Sequence, residues 1–138
     1  MTVTIFHNRA CGTSRNTLAA IRETGVEPTV VEYLKTGWTR AQLRDLLGKL
    51  GLGPRDILRI KGTPAADLGL TDPAVGDDAI LDAMVAHPIL VERPIVVAPR
   101  GAVLSRPSER VFEILDNAPA AFVKEDGERV LPGNAPDA

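Results

Sequence analysis

Apolar-rich and amphipathic segments alternate along the first quarter of the chain. Residues 2–6 alternate in the manner of a strand, and residues 14–24 follow as a helix that Gly25 ends. A β-branched run at residues 29–33 predicts a second strand. Because a strand, a helix and a strand of these lengths form a βαβ unit, we expect the two strands to be parallel.

Residues 39–87 are predicted to form a helical insertion. Thr39 and Gln42 have the spacing of a capping box at a helix start. The helix they begin carries leucines on one face, at Leu43, Leu46, Leu47 and Leu50. Gly- and Pro-rich residues 51–75 predict short helical pieces joined by turns, and a further helix begins at Asp77 and stops near Pro88.

Apolar residues after the insertion complete the predicted sheet. Residues 89–97 indicate a third strand region and residues 102–104 a fourth, joined in an antiparallel hairpin at Arg100-Gly101. Pro107 suits the first turn of a last helix. The order predicts an α/β, thioredoxin-like fold: a four-stranded mixed sheet with flanking helices and a helical insertion between the second and third strands.

Length and composition favour a single domain over residues 1–138, with a loosely held polar tail at about 119–138. The net charge of −2 argues against nucleic acid or a membrane surface as a partner. The lone cysteine fits a reducing compartment, and no targeting or membrane-spanning segment is evident. We therefore expect a soluble, cytoplasmic protein, and a monomer because no large apolar face is apparent.

Cys11 lies in the loop between the first predicted strand and the first predicted helix. The positive end of a helix dipole and free backbone N–H groups favour a thiolate there, so we interpret Cys11 as reactive rather than as a buried hydrophobe. Gly12 allows close approach of a ligand, and Thr13 and Ser14 could help to hold an anion. Because no second cysteine exists, an outside thiol must resolve any oxidised Cys11.

His7 ends the first predicted strand, a few residues before Cys11. It could lower the pKa of the thiol by charge or hydrogen bonding, or it could merely fix the loop. Both readings stay open. The chain has one other histidine, and two distant histidines with one cysteine predict no metal site.

Three arginines are candidates for an anion site. Arg59 ends a helical piece, Arg93 precedes Pro94, and Arg106 precedes Pro107. An X-Pro bond at the position of Pro94 in a thioredoxin-like fold is typically cis and lies against the active-site loop. If the three arginines converge on Cys11, their forked donors suit a tetrahedral, multiply charged anion.

The chain resembles the glutathione- and glutaredoxin-linked arsenate reductases of Gram-negative bacteria, a resemblance that runs to about Gly127. It is densest at His7-Asn8-x-x-Cys11-Gly12-Thr13-Ser14-Arg15-Asn16-Thr17-Leu18, Leu58-Arg59, His87-Pro88-Ile89-Leu90, Arg93-Pro94-Ile95-Val96-Val97, Arg106-Pro107-Ser108-Glu109 and Ala121-Phe122-x-Lys124-Glu125-Asp126-Gly127.

The resemblance implies roles for the matching residues. Cys11 would be the nucleophile, His7 would help to keep its thiol ionised, and Arg59, Arg93 and Arg106 would bind arsenate. Glutathione would be the co-substrate, with no bound cofactor. Glutaredoxin would reduce the Cys11–glutathione disulfide as arsenite leaves.

The sequence departs from the family at Ile60-Lys61-Gly62 and at Ser105, outside the matched chemical residues. Two alternatives remain. An Spx-type regulatory binding module would share the fold. Such modules usually carry a C-x-x-C pair, whereas in this chain Ser14 stands in the place of the second cysteine. A glutathione-dependent thiol oxidoreductase with another substrate would not require Arg59.

Overall fold

The computed structural model describes residues 2–132, which belong to two units. One unit combines the residues up to Glu32 with those from Arg93 onward, and the other is Tyr33–Glu92. The prediction that the whole chain is one domain stays a prediction.

A mixed sheet of four strands, in the order β2-β1-β3-β4, forms the centre of the first unit. Its strands are β1 (Thr4–His7), β2 (Thr29–Glu32), β3 (Ile95–Ala98) and β4 (Gly101–Leu104). As predicted, β1 and β2 are parallel, and β3 and β4 are antiparallel. Ile5 of β1 pairs with Val30 on one side and Val96 on the other, so this apolar strand is central.

Helices flank this sheet in the same unit. Helix α1 is Gly12–Glu23, and a 3₁₀ helix, Ser108–Ile114, stands where the last helix was predicted. The core contains side chains from both and from the sheet, among them Ile5, Ile21, Val96, Val111 and Phe112. The mixed sheet, its flanking helices and the insertion between β2 and β3 confirm the predicted arrangement.

The second unit contains the insertion. Its helices are α2 (Tyr33–Thr36), α3 (Arg40–Leu50), α4 (Asp77–Ala86) and the 3₁₀ helices Pro54–Ile57 and Pro88–Leu90. The capping box at α3 is present, since Thr39 Oγ1 accepts from the Gln42 N–H at 3.1 Å. The guanidinium of Arg55 donates to three carbonyl groups, of Leu70, Asp72 and Val75, and thereby ties the Gly- and Pro-rich segment together.

The third strand is shorter than the predicted region of residues 89–97, because β3 begins only at Ile95 and ends at Ala98. Residues just before them pair within the insertion instead: Arg59 N–H donates to Leu90 O at 2.7 Å, and Glu92 N–H donates to Ile57 O at 2.8 Å.

A C-terminal hairpin occupies much of the segment predicted as a loose tail. It consists of β5 (Phe122–Val123) and β6 (Arg129–Val130). Phe122 is 3% exposed and packs edge-on against Phe112, with ring centres 5.8 Å apart. Lys124 Nζ lies 2.9 Å from a carboxylate oxygen of Glu109. Residues 133–138 of the predicted tail lie outside the described residues.

None of the helices within residues 2–132 combines the length and the apolar character that crossing a membrane requires.

Replacing Phe122 by Ala should destabilise the chain by about 3–5 kcal/mol, because it opens a cavity beside Phe112. Urea unfolding followed by circular dichroism measures this change. Val123→Ala is the matched control on the same strand: Val123 is 60% exposed, so its truncation should cost no more than about 0.5 kcal/mol. Equal midpoints for the two variants would show that the hairpin is not anchored by Phe122.

Candidate active site

Cys11 is the N-cap residue of α1 and is partly buried. A short turn holds it there: the Cys11 N–H donates to Asn8 O at 3.0 Å, and Asn8 Oδ1 accepts from the Ala10 N–H at 3.0 Å. The sulfur therefore lies at the end of the helix where the backbone N–H groups have no partners within the helix.

Ser14 and His7 form a buried hydrogen-bonded pair beneath this loop. Ser14 Oγ lies 2.6 Å from His7 Nδ1 and accepts from the Asn8 N–H at 3.1 Å. Burial lowers the pKa of His7, although the nearby Glu32 carboxylate raises it. A neutral His7 accepts at Nδ1, which lets the Ser14 hydroxyl donate to it. The His7 ring thus makes its hydrogen bond to the side chain of Ser14, and the backbone N–H of Ser14 interacts with the Cys11 sulfur.

Arg106 and Arg93 bring cationic groups to the sulfur. Arg106 Nη1 lies 3.8 Å from Cys11 Sγ and donates to the carbonyl oxygen of Arg93 at 2.9 Å. Within residues 2–132, Arg93 Nε and Nη1 are buried and have no hydrogen-bond partner. Both arginines precede cis prolines, Pro94 and Pro107. Buried guanidinium nitrogens without partners beside a thiol indicate a site prepared for an anion.

These neighbours determine the ionisation of the cysteine. Burial by itself raises the pKa of the Cys11 thiol, but the Ser14 backbone N–H and the guanidinium groups of Arg93 and Arg106 lower it, with a net decrease. Because the thiolate is the nucleophilic form, the site favours attack by sulfur on a bound anion or on a disulfide.

Arg15 and Glu125 lie next to the site, and residue spacing in the sequence does not identify either of them as part of it. Arg15 donates to the two Glu125 carboxylate oxygens at 2.7 and 3.0 Å and to the Arg9 carbonyl at 2.8 Å. A Cβ atom on Gly12 would lie 3.1 Å from a Glu125 oxygen. The one sequence signal for Glu125 was its place in the C-terminal motif of the resemblance.

The remaining predicted residues are less directly connected to the sulfur. Thr13 lies in the first turn of α1, where its carbonyl accepts from the Thr17 hydroxyl at 2.9 Å. Arg59 belongs to the other unit, where its Nη1 lies 3.1 Å from Glu92 Oε1. Its convergence with Cys11 stays a prediction. In the part of the chain that the structure describes, no cluster of three His, Cys, Asp or Glu side chains could hold a metal ion.

The ArsC family model matches residues 6–114, and the chain belongs to this family. An arsenate reductase of Rhizobium meliloti (strain 1021) is 60% identical over 132 residues, which cover 95% of this chain and 94% of that protein. An arsenate reductase of Escherichia coli (strain K12) is 52% identical over 130 residues, or 94% of this chain and 92% of that protein.

A solved structure shares the fold. The arsenate reductase from Vibrio cholerae superimposes with a TM-score of 0.79 and 43% sequence identity, over 83% of this chain and 98% of its own. This likeness confirms the thioredoxin-like fold class.

Arg106→Gln should raise the pKa of Cys11, because the variant loses a positive charge close to the sulfur. Ultraviolet absorbance of the thiolate, followed against pH, measures this shift. Arg110→Gln is the matched control, since Arg110 is a half-exposed arginine that pairs locally with Glu113. A titration midpoint that is the same in both variants and the parent would contradict the electrostatic role of Arg106.

Proposed function

We propose that this chain is an arsenate reductase in which Cys11 is the nucleophile and glutathione the co-substrate. Its relatives named arsenate reductase are 52% and 60% identical over nearly the whole chain, which supports this activity. The geometry around Cys11 supports the same chemistry independently of those names.

The observation that carries the proposal is the pair of arginines at the thiol. Arg93 has buried guanidinium nitrogens without partners in the described residues, and Arg106 lies 3.8 Å from Cys11 Sγ. A tetrahedral oxyanion with more than one negative charge satisfies such forked donors, and binding there brings its central atom next to the sulfur. The same cations that would bind the anion also lower the pKa of the attacking thiol.

The reaction then follows in two stages. The Cys11 thiolate attacks the arsenic of arsenate, and one oxygen leaves as water. The thiol of glutathione adds next, and two electrons pass to arsenic as the Cys11 and glutathione sulfurs join in a disulfide. The balance is one arsenate and two thiols giving one arsenite, one disulfide and one water.

Other loop residues would assist this step. Backbone N–H groups at Gly12, Thr13 and Ser14 belong to the first turn of α1 and would donate to the anion and to the thiolate. We assign His7 a positioning role, because it holds the Ser14 side chain and is neutral near pH 7. Arg59 would be the third arginine at the anion.

Glutaredoxin would complete the cycle. Cys11 is the only cysteine in the sequence, so its disulfide with glutathione has no resolving thiol in the same chain. Thiol–disulfide exchange with glutaredoxin would restore the thiolate. We further propose a monomeric, single-domain, cytoplasmic enzyme that uses no metal or bound cofactor.

Oxidation of NADPH, coupled through glutathione reductase, glutaredoxin and glutathione, tests the proposal. Addition of arsenate should start turnover in the parent protein, and Cys11→Ser should abolish it because no nucleophile remains. Omission of glutaredoxin should reduce the rate strongly. A folded parent protein without arsenate-dependent turnover, or a Cys11→Ser variant with parental turnover, would refute the proposed function.

Arg59→Gln should lower kcat/KM for arsenate by about tenfold or more if Arg59 contacts the anion, since a charge-assisted hydrogen bond is lost. The titration midpoint of the Cys11 thiol is measured in the same variant, so that a change in thiol ionisation is distinguished from a lost contact with the anion. The matched control is Arg44→Gln in the same unit, since Arg44 is an exposed arginine whose nearest carboxylate, of Asp78, is 3.7 Å away. Parental kcat/KM in Arg59→Gln would remove Arg59 from the proposed site.

A further inference from the structure

The hairpin turn between β5 and β6, residues 124–128, is an ordered structure to which the proposed reaction assigns no role. The Lys124 N–H donates to Glu128 O at 2.8 Å, and the Gly127 N–H donates to Lys124 O at 2.9 Å. Asp126 Oδ1 accepts from the Glu128 N–H at 2.9 Å. These bonds fix the directions in which the side chains of the hairpin turn point.

Two neighbouring residues of the hairpin turn bind two different helices. The Glu125 carboxylate accepts from Arg15 of α1 at 2.7 and 3.0 Å, and the Glu125 N–H donates to the Asn16 side chain at 2.9 Å. The ammonium group of Lys124 lies 2.9 Å from a carboxylate oxygen of Glu109, in the first turn of the 3₁₀ helix that follows β4. The hairpin turn thereby connects α1 with that 3₁₀ helix.

These two helices carry the sulfur and its cationic neighbour. Cys11 is the N-cap residue of α1, four positions before Arg15. Arg106 precedes Glu109 by three positions, and its Nη1 lies 3.8 Å from Cys11 Sγ. Because the attraction between two charges depends on their separation, a small shift of either helix changes how strongly the guanidinium stabilises the thiolate.

The two contacts of the hairpin turn differ in burial. The Lys124 side chain is 10% exposed and that of Glu109 is 30% exposed, so loss of either partner leaves a mostly buried charge and is costly. The pair of Arg15 and Glu125 is half exposed, and it lies directly against Gly12. A Cβ atom on Gly12 would be 3.1 Å from Glu125 Oε1 and 3.6 Å from Arg15 Nη2.

We propose that Lys124 and Glu125 are positioning residues, which hold Cys11 and Arg106 at the separation that the reaction uses. The inference rests on the proposed function, because it concerns the same sulfur and the same guanidinium. Glu125 acts on the position of Cys11 through Arg15, and Lys124 acts on the position of Arg106 through Glu109.

The negative charge of Glu125 makes the direction of its effect informative. A carboxylate that acts only by its charge raises the pKa of a nearby thiol, so its removal would lower the pKa of Cys11. Loss of a positioning residue has the opposite result, because Arg106 is then free to move away from the thiolate. A residue that serves stability alone leaves this pKa unchanged.

Glu125→Ala should therefore raise the titration midpoint of Cys11, measured by thiolate absorbance, and lower kcat/KM for arsenate by about two- to fivefold. The matched control is Glu27→Ala, which removes a similar two-pronged partner, at 3.0 and 3.1 Å, from Arg22 at the other end of α1. The control should leave both quantities unchanged. An unchanged or lower midpoint in Glu125→Ala overturns the inference.

Glu109→Gln tests the other contact of the hairpin turn. It also removes a negative charge, and it should also raise the midpoint, since Lys124 loses its partner on the 3₁₀ helix. Glu113→Gln is the matched control, because Glu113 pairs with Arg110 of the same helix, 3.6 Å away. A midpoint in Glu109→Gln that equals that of this control would overturn the role of Lys124.

A double variant shows whether Glu125 acts through Arg106. In the Arg106→Gln background, Glu125→Ala should cause no further rise in the midpoint, because the positioned guanidinium is already absent. A further rise as large as that in the single variant would contradict the inference. None of the midpoints requires arsenate, so they decide the positioning role even if the parent shows no arsenate-dependent turnover, a result that would refute the proposed function alone.

Discussion

One guanidinium nitrogen of Arg106 connects the parts of the site that lie far apart in sequence. It contacts the sulfur of Cys11 and donates to the carbonyl of Arg93. The loop after β1, the segment that leads into β3 and the segment that follows β4 are thereby held around one point. Since β1, β3 and β4 are adjacent in the sheet, the strand order itself brings these three residues close together.

Local patterns were enough to predict the elements whose signals lie within a few residues. The parallel pair of β1 and β2, the capping box of α3 and the hairpin of β3 and β4 all follow from spacing, β-branched runs and turn residues. Ile89 to Val91 look like strand residues for the same reason. Their pairing within the insertion depends on Arg59 and Ile57, some thirty positions earlier, which no local pattern indicates.

The same contrast between local patterns and distant contacts applies to the candidate site. The position of Cys11 at a strand-to-helix turn was apparent from the sequence, but the partner of His7 was not. His7 lies near Cys11 in sequence, yet its hydrogen bond is to the Ser14 hydroxyl, and burial of the imidazole opposes a positive charge there. Glu125 lies beside the site because its carboxylate binds Arg15, which is 110 positions earlier in the chain.

The C-terminal hairpin lies beyond the residues that the family model matches, yet it is attached to α1 and to the core at several points. The Glu125 N–H donates to the side chain of Asn16, the Glu125 carboxylate binds Arg15, and Phe122 lies in the core. Detachment of the hairpin would release all of these contacts at once. Amide hydrogen exchange at Arg15, whose N–H donates to the Cys11 carbonyl, and at Lys124 of the hairpin, whose N–H donates to Glu128, should therefore share one opening event, although more than a hundred residues separate them.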